Sequence, residues 1–333
     1  MATGARIWQI TWHVLAILAG LVLLFFVVVV PWFFTNIITT SRYHFPDPND
    51  GKAPISYGMK YTSVQFRSSD GILLDGWYVP AEPNAKGTII YCHGHNRTKI
   101  EMLPMAAFGH QLGYNGLLFD LRHQGKSEGT MSSIGYLERQ DVVGAAHFAL
   151  DQERAQRPII VWGVSMGASA ALMGAADSPD INAAISDSSF LSFKDVIDHH
   201  WKLFFHLPTF PIADEIIYWT AWRVGFHPLD FDLEKAVTQI GTRPLLFVGV
   251  EGDKRMPPEI ARRLYGDAQS ELKDIVIVPG TRHGEGFKSG NKQYEEAVTT
   301  FLASIPPKDA GASRNSGSGA MKAAPPKSQS VAH

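Results

Sequence analysis

Ile159-Ile160-Val161-Trp162-Gly163-Val164-Ser165-Met166-Gly167-Ala168-Ser169-Ala170-Ala171 is the stretch whose reading decides the fold. It opens as an apolar run of the kind that forms a strand buried on both faces of a sheet. The motif G-x-S-x-G follows, and the small residues after it begin a helix. A serine nucleophile at the end of a parallel strand needs that order of strand, tight turn and helix. The turn strains the serine backbone and lifts its hydroxyl clear of the sheet. Gly163 and Gly167 lack the side chains that would collide in it. A helix starting at Ser165 aims backbone N–H groups and a positive dipole end at a developing oxyanion. The bare motif is common by chance, so its context is what selects a nucleophile over a Gly-rich packing turn.

Further apolar runs lie on either side, at residues 88–92, 116–120, 183–186, 245–250 and 275–278. Residues 62–66 and 73–79 flank the turn Ser69-Asp70-Gly71 and predict an antiparallel hairpin. Helical patterns at 136–154 and 258–265 alternate with these runs. An α/β fold follows, with a mostly parallel central sheet, helices on both faces and ligands at the carboxyl ends of the strands. One interval breaks the rhythm. Residues 187–240 are too long for a plain crossover and are dense in aromatics, among them Phe193, Trp201, Phe204, Phe205, Trp219 and Trp222. They predict a helical cap inserted in a domain that spans 41–305.

A serine hydroxyl needs a histidine held in one tautomer by a carboxylate. In this arrangement the acid and then the histidine follow the serine along the chain. His283 sits in a Gly-rich loop after the last predicted strand and is the only histidine between the cap and the C-terminal tail. Asp253, after the run 245–250, is the chosen acid, with Glu251 and Asp187 as competitors. Oxyanion donors are expected from the backbone N–H groups of Met166, next after the nucleophile, and His95, in the turn Cys92-His93-Gly94-His95. His93 would then brace that turn.

Taken together, His93-Gly94, Asp120-Leu121-Arg122-His123-Gln124-Gly125-Lys126-Ser127, Gly163-Val164-Ser165-Met166-Gly167, Asp253-Lys254-Arg255-Met256-Pro257 and His283-Gly284-Glu285 stand in an order that resembles the α/β-hydrolases. The set is similar to the serine aminopeptidase and monoacylglycerol-lipase-like branch, including its membrane-anchored members. It covers residues 61–302. The resemblance implies an acid at the Asp of a D-x-x-hydrophobic-P stretch, which Asp253 matches and Glu251 does not. It also implies an oxyanion donor directly after His-Gly, hence His95. One departure is His123, which stands where the family has glycine.

Residues 1–40 predict a transmembrane anchor. The run 14–34 carries no charge, and Trp8, Trp12 and Trp32 lie near its ends. A helix of that length spans roughly 30 Å, the thickness of a bilayer's hydrocarbon core. No small-residue cleavage pattern follows it, which sets it apart from a signal peptide. The catalytic domain is expected outside the cytoplasm, as for other signal-anchored chains. Residues 306–333, rich in Pro, Ala, Ser, Gly and Lys, predict a disordered tail.

The chain's 333 residues carry a net charge of -2 and a single cysteine. These exclude an internal disulfide and a multi-cysteine metal cage, and argue against a nucleic-acid partner. His93-x-His95 and His199-His200 lack further ligands, so no metal and no cofactor is expected. Gly125-Lys126-Ser127 lacks the first glycine of a phosphate loop. The expected activity is hydrolysis of an ester or related acyl bond through an acyl-enzyme, on a small apolar or lipid-like substrate. Aminopeptidase or thioesterase chemistry is the alternative within the class. A non-catalytic binding protein of the same fold is the alternative outside it, against which the Ser–Asp–His set argues.

Overall fold

The computed structural model describes residues 2–306 apart from 43, 82, 152–155 and 290. From residue 307 onward, the expected tail lies outside the described residues. Eight strands form one sheet, in the order β1-β2-β4-β3-β5-β6-β7-β8. They are β1 (Thr62–Arg67), β2 (Leu73–Val79), β3 (Thr88–Cys92), β4 (Asn115–Phe119), β5 (Ile159–Val164), β6 (Ala183–Asp187), β7 (Leu245–Val250) and β8 (Lys273–Val278). The β1–β2 hairpin pairs antiparallel with itself and with β4, and every other pairing is parallel. Every residue of β3, β4, β5, β6 and β7 is buried, as strands covered on both faces require.

Two helical layers supply that cover. On one face, α4 (Glu138–Asp151), α5 (Met166–Asp177), α8 (Leu233–Ile240) and α9 (Pro258–Asp267) enclose Val142, Ala170, Leu172, Val237 and Leu264. On the other, α3 (Leu103–Gln111) and α10 (Asn291–Ser304) enclose Met105, Tyr294, Val298 and Phe301. The alanines of α5 let it lie close on the centre of the sheet, directly behind Ser165.

The aromatic interval divides in two. Helices α6 (Phe193–Phe205) and α7 (Ile212–Val224) form the cap, whereas α8 packs on α5 as an ordinary crossover. Local chemistry sets these ends. The Ser192 hydroxyl accepts the Asp195 N–H and starts α6, and the Asp232 carboxylate accepts the Lys235 N–H and starts α8. Helix α7 stops at Gly225, at φ +85°.

The N-terminal helix runs from α1 (Ala2–Leu24) through a π-helical turn at Phe25–Val29 into α2 (Val30–Thr40). Its 35-residue segment Arg6–Thr40 is long and apolar enough to cross a membrane. Nearly all of α1 is exposed, but α2 is not a free tether. It docks on α7 and buries Thr35 and Thr39 completely.

Candidate active site

The Ser165 backbone sits at φ +55° and ψ -119° between β5 and α5. A non-glycine residue held there costs roughly 1–3 kcal/mol, which the surroundings must offset. The Ser165 N–H donates to the Asp187 carbonyl at 2.8 Å, and its own carbonyl accepts the Ser169 N–H at 3.1 Å. A Cβ on Gly163 would collide with the Gly167 carbonyl, and one on Gly167 with the Cys92 carbonyl. Both glycines are therefore required by space.

His283, in the loop after β8, bridges Ser165 and Asp253. Its Nε2 lies 2.7 Å from Ser165 Oγ and its Nδ1 lies 2.7 Å from Asp253 Oδ2. Burial pushes the Asp253 carboxyl up, but the hydrogen bond and charge of His283 and the Met256 and Arg255 N–H groups together outweigh it, and the net shift is downward. The resulting carboxylate can only accept, so the imidazole proton sits on Nδ1 and Nε2 faces the serine hydroxyl with its lone pair. The other Asp253 oxygen accepts the Arg255 and Met256 N–H groups, so one side chain both holds its turn and fixes His283.

The two competing acids lie elsewhere. Glu251 is exposed at the end of β7. Asp187 is buried beneath the site, where it accepts from the Ser188 hydroxyl at 2.8 Å and the Tyr294 hydroxyl at 2.9 Å.

The His93–His95 loop passes against Ser165, and a Cβ on Gly94 would stand 3.7 Å from Ser165 Cβ. The Leu121 N–H donates to His93 Nε2, so His93 carries its proton on Nδ1 and donates it to the Gly94 carbonyl. Burial pulls His93 down to about 4, which keeps the ring neutral for this bracing role. Met166 opens α5, whose first amides have no acceptor within the helix.

Sequence reasoning passed over Glu101. Its Oε2 accepts the Gly94 N–H at 2.7 Å and so fixes the turn that presents His95. It follows no motif, and only folding brings it to that turn. The departure at His123 also resolves. Its φ of +63° is the left-handed conformation that glycine favours, and the histidine adopts it with its N–H donated to the Glu128 carbonyl.

Above the serine opens a cavity of about 580 Å³. Ile197, Trp201 and Phe204 of the cap line it, together with Phe190, Arg97, Glu101 and Arg255. His199 and His200 are spent on docking the cap. His199 Nε2 lies 2.7 Å from the Lys254 carbonyl, and Arg255 donates to His200 Nε2 at 3.3 Å.

A mostly parallel sheet with an antiparallel start, a strained serine at the end of β5 and a cap over the strand ends give this chain the α/β-hydrolase fold. Within that class, residues 83–212 match the family model described as serine aminopeptidase, S33. Protein bem46 of Schizosaccharomyces pombe is 26% identical over 269 residues, covering 79% of this chain and 81% of its own length. The uncharacterized membrane protein YNL320W of Saccharomyces cerevisiae is 25% identical over 76% of this chain and 84% of its own. Among solved structures, the esterase Pf2001 of Pyrococcus furiosus superposes with a TM-score of 0.65 at 21% identity. It covers 80% of this chain and 98% of that one.

Proposed function

We propose that the protein is a membrane-anchored serine hydrolase that cleaves neutral, apolar acyl esters through an acyl-enzyme. The observation that carries the reading is the unbroken chain from Asp253 through His283 to the Ser165 hydroxyl, opening into a largely apolar cavity. Ser165 Oγ attacks the ester carbonyl carbon as His283 Nε2 takes its proton. Asp253 holds the imidazolium that forms. The Met166 and His95 N–H groups receive the charge that develops on the carbonyl oxygen. As the intermediate collapses, His283 returns the proton to the leaving alkoxide. A water then repeats the sequence on the acyl-enzyme and frees the acid.

The apolar cap wall favours medium-chain acyl or lysolipid-type esters over charged aminoacyl amides. Thioesters and amides pass through the same tetrahedral intermediate, so substrate fit decides among them. The Arg6–Thr40 helix supports anchoring, as do Leu207, Phe210, Tyr218 and Trp222, apolar side chains left exposed on the cap. The catalytic domain is assigned to the extracytoplasmic side, which protease protection in intact cells tests. For the activity, kcat/KM is compared for acetyl, butyryl and octanoyl esters and a leucyl amide. It should rise with chain length, about tenfold for each two carbons while the pocket lasts. A steady fall with length, or a clear preference for the amide, would overturn the reading in favour of an aminopeptidase.

A further inference from the structure

The last turns of the N-terminal helix do more than join a span to a domain. Of the four polar residues of α2, Thr35, Asn36 and Thr39 are used against the domain, and Thr40 is exposed. The Thr35 and Thr220 hydroxyls meet at 3.2 Å, and Arg223 donates to Asn36 Oδ1 at 2.6 Å. Thr39 Oγ1 accepts from Arg223 at 3.4 Å, and the Thr39 carbonyl accepts the Ser132 N–H at 2.8 Å. Phe34 packs edge-on against Trp201 and Phe205 of α6, with ring centres 5.8 and 5.5 Å away. The apolar side chains between these fixed points are thus held in place. Phe34, Ile37 and Ile38 line the same cavity as Ser165 and His283. Just beyond, the Phe45 N–H donates to the Asn96 carbonyl at 3.1 Å, which ties the segment after α2 to the loop carrying His95.

We infer that α2 is a wall of the acyl-binding site, and that Ile38 sets the length of acyl chain the enzyme accepts. This rests on the acyl-hydrolase reading and adds to it a specificity element supplied by the membrane helix. A helix acting only as a tether needs no docked polar face and has no reason to reach the cavity. Because α2 continues directly from the span, an acyl chain leaving the bilayer meets it on the way to Ser165. The substrate class is therefore a membrane-resident ester with a single extended chain, bound between α2 and the cap.

The test uses the full-length protein in its membrane, with Ile38→Trp to narrow the wall and Ile38→Ala to widen it. Labelling by a short-chain alkyl fluorophosphonate reports whether Ser165 and His283 remain assembled. Ile38→Trp should still label at Ser165 with the short-chain probe and lower the octanoyl-to-butyryl ratio of kcat/KM about tenfold, the worth of two lost methylene contacts. Ile38→Ala should likewise still label at Ser165 and raise a dodecanoyl-to-octanoyl ratio by a similar factor. Wild-type ratios in both variants, with Ser165 still labelled, would overturn the inference and leave α2 a tether. If Ile38→Trp fails to label, Ile38→Ala decides alone by the same ratio. Wild-type protein that neither labels nor cleaves any ester would instead bring down the hydrolase reading itself.

Discussion

The hydroxyl of Thr35, on the N-terminal helix, bonds the hydroxyl of Thr220, on the cap, across an interface that shuts both from solvent. A buried hydroxyl that loses its partner costs about 1–3 kcal/mol, whereas removing both partners in shape-matched form costs little. Thr35→Val and Thr220→Val should each destabilise by about that amount, and the double variant by clearly less than their sum. Thermal melts of the four proteins in detergent measure the coupling. Simple additivity would contradict a direct bond between helix and cap.

The π-helical turn at Phe25–Val29 separates the exposed span from the docked segment, and Pro31 is a favourable residue for a helix start. A chain beginning at Val30 should leave the membrane on carbonate extraction and keep its ester turnover. A chain beginning at His44 should lose the α2 packing against Trp201 and Ile216 and melt lower or aggregate. Equal stability and equal chain-length preference in the two would show that α2 contributes nothing to the domain.

For the acid, Asp253→Asn should lower kcat on the order of 10⁴-fold by releasing His283 from its productive tautomer. Glu251→Gln and Asp187→Asn should change it little, because neither carboxylate touches His283. A large loss confined to Asp187→Asn would move the acid to β6.

How much of this could be read before folding depends on what each residue answers to. Strands β2, β3, β5 and β7 were legible to the residue: β5 and β7 are wholly apolar, β3 opens on Thr88 directly after a glycine, and β2 lies between the Asp70-Gly71 turn and Pro80. The reading of β8 missed Lys273 and Asp274. Lys273 gives its charge to the Tyr265 and Ala268 carbonyls at the end of α9, so a polar pair begins a strand. Ser165, Asp253 and His283 could be singled out since each follows a strand, but their mutual distances come only from the folded chain. The cap was visible as aromatic density, but its division was not, since α8 buries Leu233 and Val237 with the same apolar pattern a cap helix would show. Docking of α2 was missed because an apolar residue facing lipid and one facing a pocket look alike. Thr35 and Thr39, one helical turn apart, were the available sign.

Glu101 accepts the Gly94 N–H of the turn next to His95, so under the proposed mechanism it would act on rate through position. Glu101→Leu should lower kcat by up to 10²–10³-fold, the range seen when an oxyanion donor is lost, with KM changed far less. Glu101→Gln keeps an oxygen for the Gly94 N–H and should restore most of the rate. Equal losses in both would mean that the charge, and not the hydrogen bond, is what matters.

Burial pushes the Asp187 carboxyl up to about 6, and the hydrogen bonds from Ser188 and Tyr294 pull it only part of the way back. An unfolded aspartate titrates near 4. Between those values the folded chain holds a proton that the unfolded chain has lost. The stability this site contributes is therefore full below about pH 4 and is lost as pH rises through about 6. Asp187→Asn cannot ionise, so its stability relative to wild type should climb across that window by up to about 3 kcal/mol and then level off. Denaturation at pH 4 and pH 7 measures it, and a difference independent of pH would contradict the assignment.

Active-site labelling decides whether Ser165 is a nucleophile activated by His283. Full-length protein in native membranes is treated with a fluorophosphonate probe, digested and read by mass spectrometry, beside Ser165→Ala and His283→Ala. The account predicts a single phosphonyl adduct on Ser165 in the wild type, none in Ser165→Ala and a strongly slowed reaction in His283→Ala. A folded wild type that takes no adduct, or a Ser165→Ala protein that labels like wild type, would contradict it.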